Sequence, residues 1–141
     1  MQKEIKQTWR FGVSPREVWE YLTRPELLEL WLGKTDFRPV VGHQFRLDGK
    51  GGCEIHCEVL EAKPFTRLVY SWQTTSEKDK KSFDSRVVWT LEPDAEGTEL
   101  QLVHDGFMAL EDYTLHNNGW TILLGRITEL LNRVKNAGTN A

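Results

Sequence analysis

Cysteine is scarce in this chain: there are two, Cys53 and Cys57, in 141 residues. The opening MQKEIKQTWR has no apolar core of the signal-peptide kind. Together these point to free thiols in a reducing, cytoplasmic setting, not to a disulfide scaffold. No apolar run approaches the ~18 residues that a membrane-spanning helix needs. Positive charge is not in excess either. The net charge is -3 and the pI about 5.8, which argues against a nucleic-acid partner. The one cationic cluster, Lys78, Lys80 and Lys81, is interrupted by Asp79 and flanked by Glu77, and reads as a solvated hairpin tip. Chemical signatures are missing as well. The chain has no G-x-S-x-G elbow, no H-E-x-x-H, no Gly-rich phosphate loop after a strand and no evident pair of inward carboxylates. No catalytic residue, metal ligand or cofactor is therefore assigned. Linkers, internal repeats and low-complexity stretches are also absent, so residues 1–136 are expected to form one domain and residues 137–141 a short flexible tail.

Aromatic residues are present in quantity. Six tryptophans stand at 9, 19, 31, 72, 89 and 120. Around them, apolar and polar residues alternate with period two. Ile5, Trp9 and Phe11 share one face of an opening strand, with Gln7 as a polar intruder. Ser14-Pro15-Arg16-Glu17 is a capping box with proline at the first helical position. Thr23-Arg24-Pro25-Glu26 starts a second short helix, and Gly33 stops it. Strands then follow through Phe45 and Leu47, Cys53 to Val59, Leu68 to Trp72, Val87 to Leu91, and Leu100 to His104. Short turns between them predict antiparallel neighbours with one covered face. The order read is β-α-α, six strands, and a last helix: an α+β domain.

That last helix spans about Asp112 to Val134. Tyr113, Asn117, Trp120, Leu123, Leu124, Ile127, Leu130, Leu131 and Val134 recur at spacings of three and four, which forms one stripe. Its length of about 35 Å needs a broad apolar partner, and a curved sheet supplies one.

Candidate chemistry is limited. Cys53, His56 and Cys57 resemble metal ligands, but alternation turns His56 to the face opposite the two sulfurs, whose Cα atoms lie about 13 Å apart along a strand. His104 falls on the inner face. His116, with Asn117, Tyr113 and Tyr70, would set a few polar groups on an apolar wall, as small-molecule sites do. Ser71 faces outward. Asp105, Glu111 and Asp112 read as solvated, or as complements to the positive end of the last helix.

Several segments taken together resemble a known family. They are Val13 to Trp19, Thr23 to Leu28 with Trp31, Val41-Gly42 before Phe45, Pro64 with Leu68 to Trp72, and Trp89 to Pro93. Gly97 to Leu100, His104 to Phe107, and His116 with Gly119-Trp120 and Leu123-Leu124 complete the set. In order and spacing they are similar to the activator of heat-shock-protein ATPase homologue-like family of the START/polyketide-cyclase (SRPBCC, Bet v-like) superfamily. The resemblance implies a helix-grip fold: an antiparallel sheet of six or seven strands wrapped around a long C-terminal helix, with two short helices after the first strand. It also implies an apolar cavity lined by Trp31, Phe45, Tyr70, Trp72, Trp89, His104, Phe107, Trp120 and Leu124, to which the residue reading adds His116. His43 departs from the family where a second glycine is common. The family's co-chaperones carry a further domain ahead of this one, which is not seen here, so ATPase stimulation is not carried over.

Three readings follow in order: a binding protein for a small lipophilic or aromatic molecule, a heat-shock-chaperone-associated interaction module, and a cyclase- or hydrolase-type enzyme using His104, His116 or a tyrosine. The sequence leaves open whether exposed strand faces pair two copies as a homodimer.

Overall fold

The computed structural model describes residues 3–48 and 54–139. It contains β1 (Lys3–Phe11), α1 (Pro15–Thr23), α2 (Pro25–Trp31), β2 (Gln44–Asp48), β3 (Glu54–Lys63), β4 (Arg67–Thr75), β5 (Ser82–Asp94), β6 (Gly97–Phe107) and α3 (Leu110–Thr139). The six strands form one sheet in the order β1-β6-β5-β4-β3-β2, with every pairing antiparallel. Strands β2 to β6 are a simple meander. The two short helices carry the chain from one edge strand, β1, to the other, β2. Five strands, not six, follow those helices. Residues 32–43 form an irregular loop whose Phe37 is nonetheless buried.

Local chemistry sets these boundaries. The Ser14 hydroxyl accepts the Glu17 amide at 3.3 Å, and Pro15 opens α1 without wasting an amide donor. The α2 helix ends where the Gly33 amide reaches back to the Leu28 carbonyl at 3.0 Å. His43 closes the loop before β2: its Nε2 lies 2.8 Å from the Asp36 carbonyl, and its ring is parallel to that of Phe45.

Alternation holds along the sheet. Ile5, Phe11, Phe45, Leu47, Cys57, Val59, Leu68, Tyr70, Trp72, Val87, Trp89, Leu91, Leu100 and Leu102 are buried on one face. Trp120, Leu124, Ile127 and Leu131 of α3 complete that core. Each such side chain contributes about 1.5–3 kcal/mol on leaving water. Phe107 breaks the parity of its strand. The β1–β6 register slips opposite Gly106, whose φ of +108° suits glycine, and this one-residue bulge turns Phe107 inward. Gln7 is a clasp between β1 and α3. Its amide nitrogen donates to Asn117 Oδ1 at 3.0 Å and to Thr121 Oγ1 at 3.2 Å, while its oxygen accepts the Trp9 indole N–H at 2.9 Å. The α3 helix starts two residues earlier than expected and runs to Thr139, into the stretch read as a tail.

Candidate functional site

Sheet and helix meet through aromatic rings. Trp31 of α2 packs edge-on against Trp89 of β5, Trp89 against Trp120 of α3, and Trp120 against Trp72 of β4, with centroids 6.2, 5.4 and 5.3 Å apart. Phe45, Tyr70 and Phe37 extend this wall toward β2, at 5.3 Å for Phe45–Tyr70 and 4.8 Å for Phe37–Phe45. Toward the start of α3, His104, Phe107 and His116 cluster with centroids 4.6 to 5.4 Å apart. Leu124 lies fully buried in the same core. All ten sequence-predicted residues are thus brought together. At these separations the rings are in contact with one another, so the wall is a packed one.

The polar atoms inside this wall are paired in a definite sense. An indole N–H only donates. Trp120 Nε1 donates to His104 Nδ1 at 2.9 Å, which places the His104 proton on Nε2. That nitrogen lies 2.8 Å from Ser85 Oγ, and the Ser85 hydroxyl in turn donates to the Trp72 carbonyl at 2.9 Å. Trp72 Nε1 donates to His116 Nε2 at 3.3 Å, so His116 carries its proton on Nδ1, facing the Asp112 carbonyl at 2.9 Å. Both imidazoles are therefore neutral. Burial, and then the neighbouring His116, hold His104 well below the ordinary histidine range. Burial also lowers His116, against the opposing pull of the Asp112 backbone and charge. Farther in, Trp89 Nε1 donates to the Tyr70 hydroxyl at 2.9 Å. Burial pushes that hydroxyl far above the usual phenol range and raises the Cys57 thiol likewise.

A serine beside a histidine invites comparison with a nucleophile and its base. Here the proton runs the wrong way. His104 Nε2 donates to Ser85, and Ser85 gives its own proton to a carbonyl, so no free lone pair on His104 is aimed at the hydroxyl. Both residues are buried. Ser71 faces away from this wall and accepts the Glu58 amide at 2.9 Å. His56 points outward beside Glu54, while Cys57 is buried; Cys53 lies outside the described residues. Among the described residues, no group of three or more His, Cys, Asp or Glu is placed to hold a metal ion.

Of the two roles expected for Asp112, the solvated one is excluded and the other holds: it is only 3% exposed, in the first turn of α3 at the positive end of that helix. Its carboxylate accepts the Ser76 hydroxyl at 2.6 Å and the Glu77 amide at 2.8 Å. It anchors the β4–β5 loop against the end of the helix that carries His116. Lys78, Lys80 and Lys81 stand exposed at the tip of that loop, as their spacing implies. Ser85, Phe37 and Asp112 were missed as parts of this region. Ser85 shares the parity of Val87 and Trp89, a signal the sequence did carry; Phe37 and Asp112 lie in segments without period-two pattern. A separate surface groove of about 500 Å³ lies where the start of α1 meets the later turns of α3, lined by Val13, Ser14, Glu17, Glu96, Val134 and Lys135 among others. None of the ten predicted residues lines it.

Comparison with known proteins bears on what this arrangement is. Residues 12–132 match the family described as Activator of Hsp90 ATPase homolog 1-like protein. The chain belongs to this family. A crystal structure of a Mesorhizobium loti protein is 32% identical, with a TM-score of 0.87 over 93% of this chain and 98% of that one. DynU16, from the dynemicin biosynthetic locus, is 24% identical with a TM-score of 0.81; the match covers 92% of this chain and 47% of DynU16. The solution structure of an Aha1 dimer from Colwellia psychrerythraea is 20% identical with a TM-score of 0.75, over 92% of this chain and 96% of that one. The last two likenesses show the shared helix-grip fold. A comparison with curated proteins finds no match. Among the described residues of this family member, no helix is long and apolar enough to cross a membrane.

Proposed function

We propose that the chain binds a small, neutral lipophilic or aromatic molecule between the sheet and α3. One observation carries this reading. The residues from Trp31 to Trp120 form a continuous aromatic surface whose polar atoms are matched to one another in uncharged form, so the interior offers ring faces and no charge. The rings touch, so a guest enters by parting them. The weakest point is the 3.3 Å Trp72–His116 bond, at the half-buried end beside Phe83 and Phe107. DynU16, of similar fold, comes from a biosynthetic locus, which accords with a small-molecule role. Titration of tryptophan fluorescence with a series of fused-ring aromatics and medium-chain lipids tests it. Saturable quenching that His116→Ala alters supports the reading. No response across the series removes it.

The family description supports a second reading, a module that engages a heat-shock chaperone through its surface. Met108 and Leu110, 67% and 58% exposed at the start of α3, give that reading an apolar foothold. Pull-down from native lysate followed by a chaperone ATPase assay separates the two. Retention and stimulation that survive loss of ligand binding favour the module.

A further inference from the structure

The outer face of α3 holds features that the monomer leaves unexplained. Leu115 and Ile122 stand 53% and 58% exposed, two turns apart on the side opposite Trp120 and Leu124. Gly119 and Gly125 flank Ile122 at three residues to either side, deep inside a 30-residue helix. Each costs roughly 1 kcal/mol relative to alanine there. A methyl group at either glycine would meet nothing within 4 Å, so no packing among the described residues requires them. The charges on the same face are Glu111, Arg126, Glu129 and Arg133, all exposed and none in an ion pair among the described residues.

These positions are symmetric about Ile122. Glu111 and Arg133 stand eleven residues to either side of it, about 16 Å along the axis. The two glycines stand at equal distances, as do Asn118 and Arg126. A two-fold axis through Ile122, perpendicular to the helix, would bring a second α3 in antiparallel. It would set Ile122 against Ile122, lower the shoulders of both helices at the crossing, and place each Glu111 beside the partner copy's Arg133. A parallel pairing in register would instead stack like charges. We infer that the outer face of α3 is a self-complementary docking surface for a second copy of this chain, in antiparallel register centred on Ile122. This differs from pairing through exposed strand faces, and it leaves the aromatic wall on the opposite side of α3 untouched. One helix face is a small interface, so the dimer is reversible and depends on concentration. One position is imperfect: the register sets Glu129 opposite the partner copy's Leu115.

Sedimentation equilibrium of the full chain over a wide concentration range tests this. The expected result is a monomer–dimer equilibrium. Ile122→Arg, at an exposed position, should weaken it by at least about a hundredfold with far-ultraviolet circular dichroism unchanged. Glu111→Arg should weaken it about tenfold, and adding Arg133→Glu should restore it. Glu129→Leu should tighten it by apposing two leucines. A chain that is monomeric throughout overturns the proposal. So does a dimer indifferent to Ile122→Arg, which would place the contact elsewhere, or a charge exchange that fails to restore association, which would refute the register. A monomer in which Ile122→Arg abolishes capture of a heat-shock chaperone assigns the face to that partner and also overturns the proposal.

Discussion

Truncating Trp120 to alanine distinguishes a packed wall from an open hollow. Trp120 is 2% exposed and touches Trp72, Trp89 and His104. Removing a buried indole costs about 3–5 kcal/mol through lost transfer energy and the cavity left behind. The deletion also strips His104 Nδ1 of its donor, and an unpaired buried acceptor costs about 1–3 kcal/mol. The expected loss is therefore about 4–8 kcal/mol, a large share of the ~5–15 kcal/mol that holds a domain folded. Trp120→Phe keeps most ring contact and loses the N–H, so about 2–3 kcal/mol is expected. Urea unfolding at pH 7.5, followed by far-ultraviolet circular dichroism, reads both values. Circular dichroism is preferable because the mutation itself alters the tryptophan signal. A loss below about 2 kcal/mol for the alanine variant would refute the packed reading. It would mean that the indole borders space already open, and that its contribution lies in binding.

Buried His104 and half-buried His116 make stability fall on the acid side. Both have folded pKa values below the unfolded value near 6.5, so the folded state resists protons that the unfolded state accepts. Stability should be flat above about pH 7.5 and decline as pH drops through 6.5. The slope is at most about 1.4 kcal/mol per pH unit for each histidine, and His104, held well below the ordinary range, comes nearest to it. Urea midpoints between pH 7.5 and 5 check this, and an unchanged midpoint down to pH 5 contradicts it. Asp112→Ala removes the acceptor of the Ser76 hydroxyl and the Glu77 amide. A loss of about 2–3 kcal/mol is expected, with faster proteolysis in the 75–81 loop; cleavage at the unaltered rate would show the anchor to be dispensable.

The architecture was legible because its signals are local and repeated. Period-two alternation in the strands and the stripe from Tyr113 to Val134 fix which faces meet, and the Ser14-Pro15-Glu17 cap fixes where α1 starts. The aromatic wall was legible for the same reason: Phe45, Tyr70, Trp72 and Trp89 all follow parity. What failed depends on tertiary pairing. Gly106 gives no hint of a bulge until β1 is laid beside it, so the inward turn of Phe107 came from the family resemblance and not from alternation. Asp112 looks like any first-turn acid until the 75–81 loop folds over it. Phe37 sits in a loop without period, where burial is decided by Phe45 and Tyr70. The partner of Gln7 could not be read either, because the two residues it joins are more than a hundred positions apart.

The polar residues of the core have a simple physical origin, and it sharpens the test of function. A buried indole N–H needs an acceptor. Trp9 finds Gln7, Trp31 the Tyr21 carbonyl, Trp72 His116, Trp89 Tyr70, and Trp120 His104. On that ground alone His104, His116 and Tyr70 are required by the tryptophans. Replacing both members of one pair separates this requirement from a role in binding. His116→Phe alone strands the Trp72 N–H, and Trp72→Phe alone strands the His116 lone pair; each should cost about 1–3 kcal/mol. In the double variant neither group remains, and two phenyl rings fill most, though not all, of the same space. Its stability should lie within about 1 kcal/mol of the parent, well short of the sum of the single losses. If the pair also greets a guest, the double variant keeps its fold while its fluorescence response to aromatic probes is lost or its selectivity among them changes. A double variant that is stable and binds the same probes equally well would leave the pair a purely structural role and move the mouth of the site elsewhere along the wall.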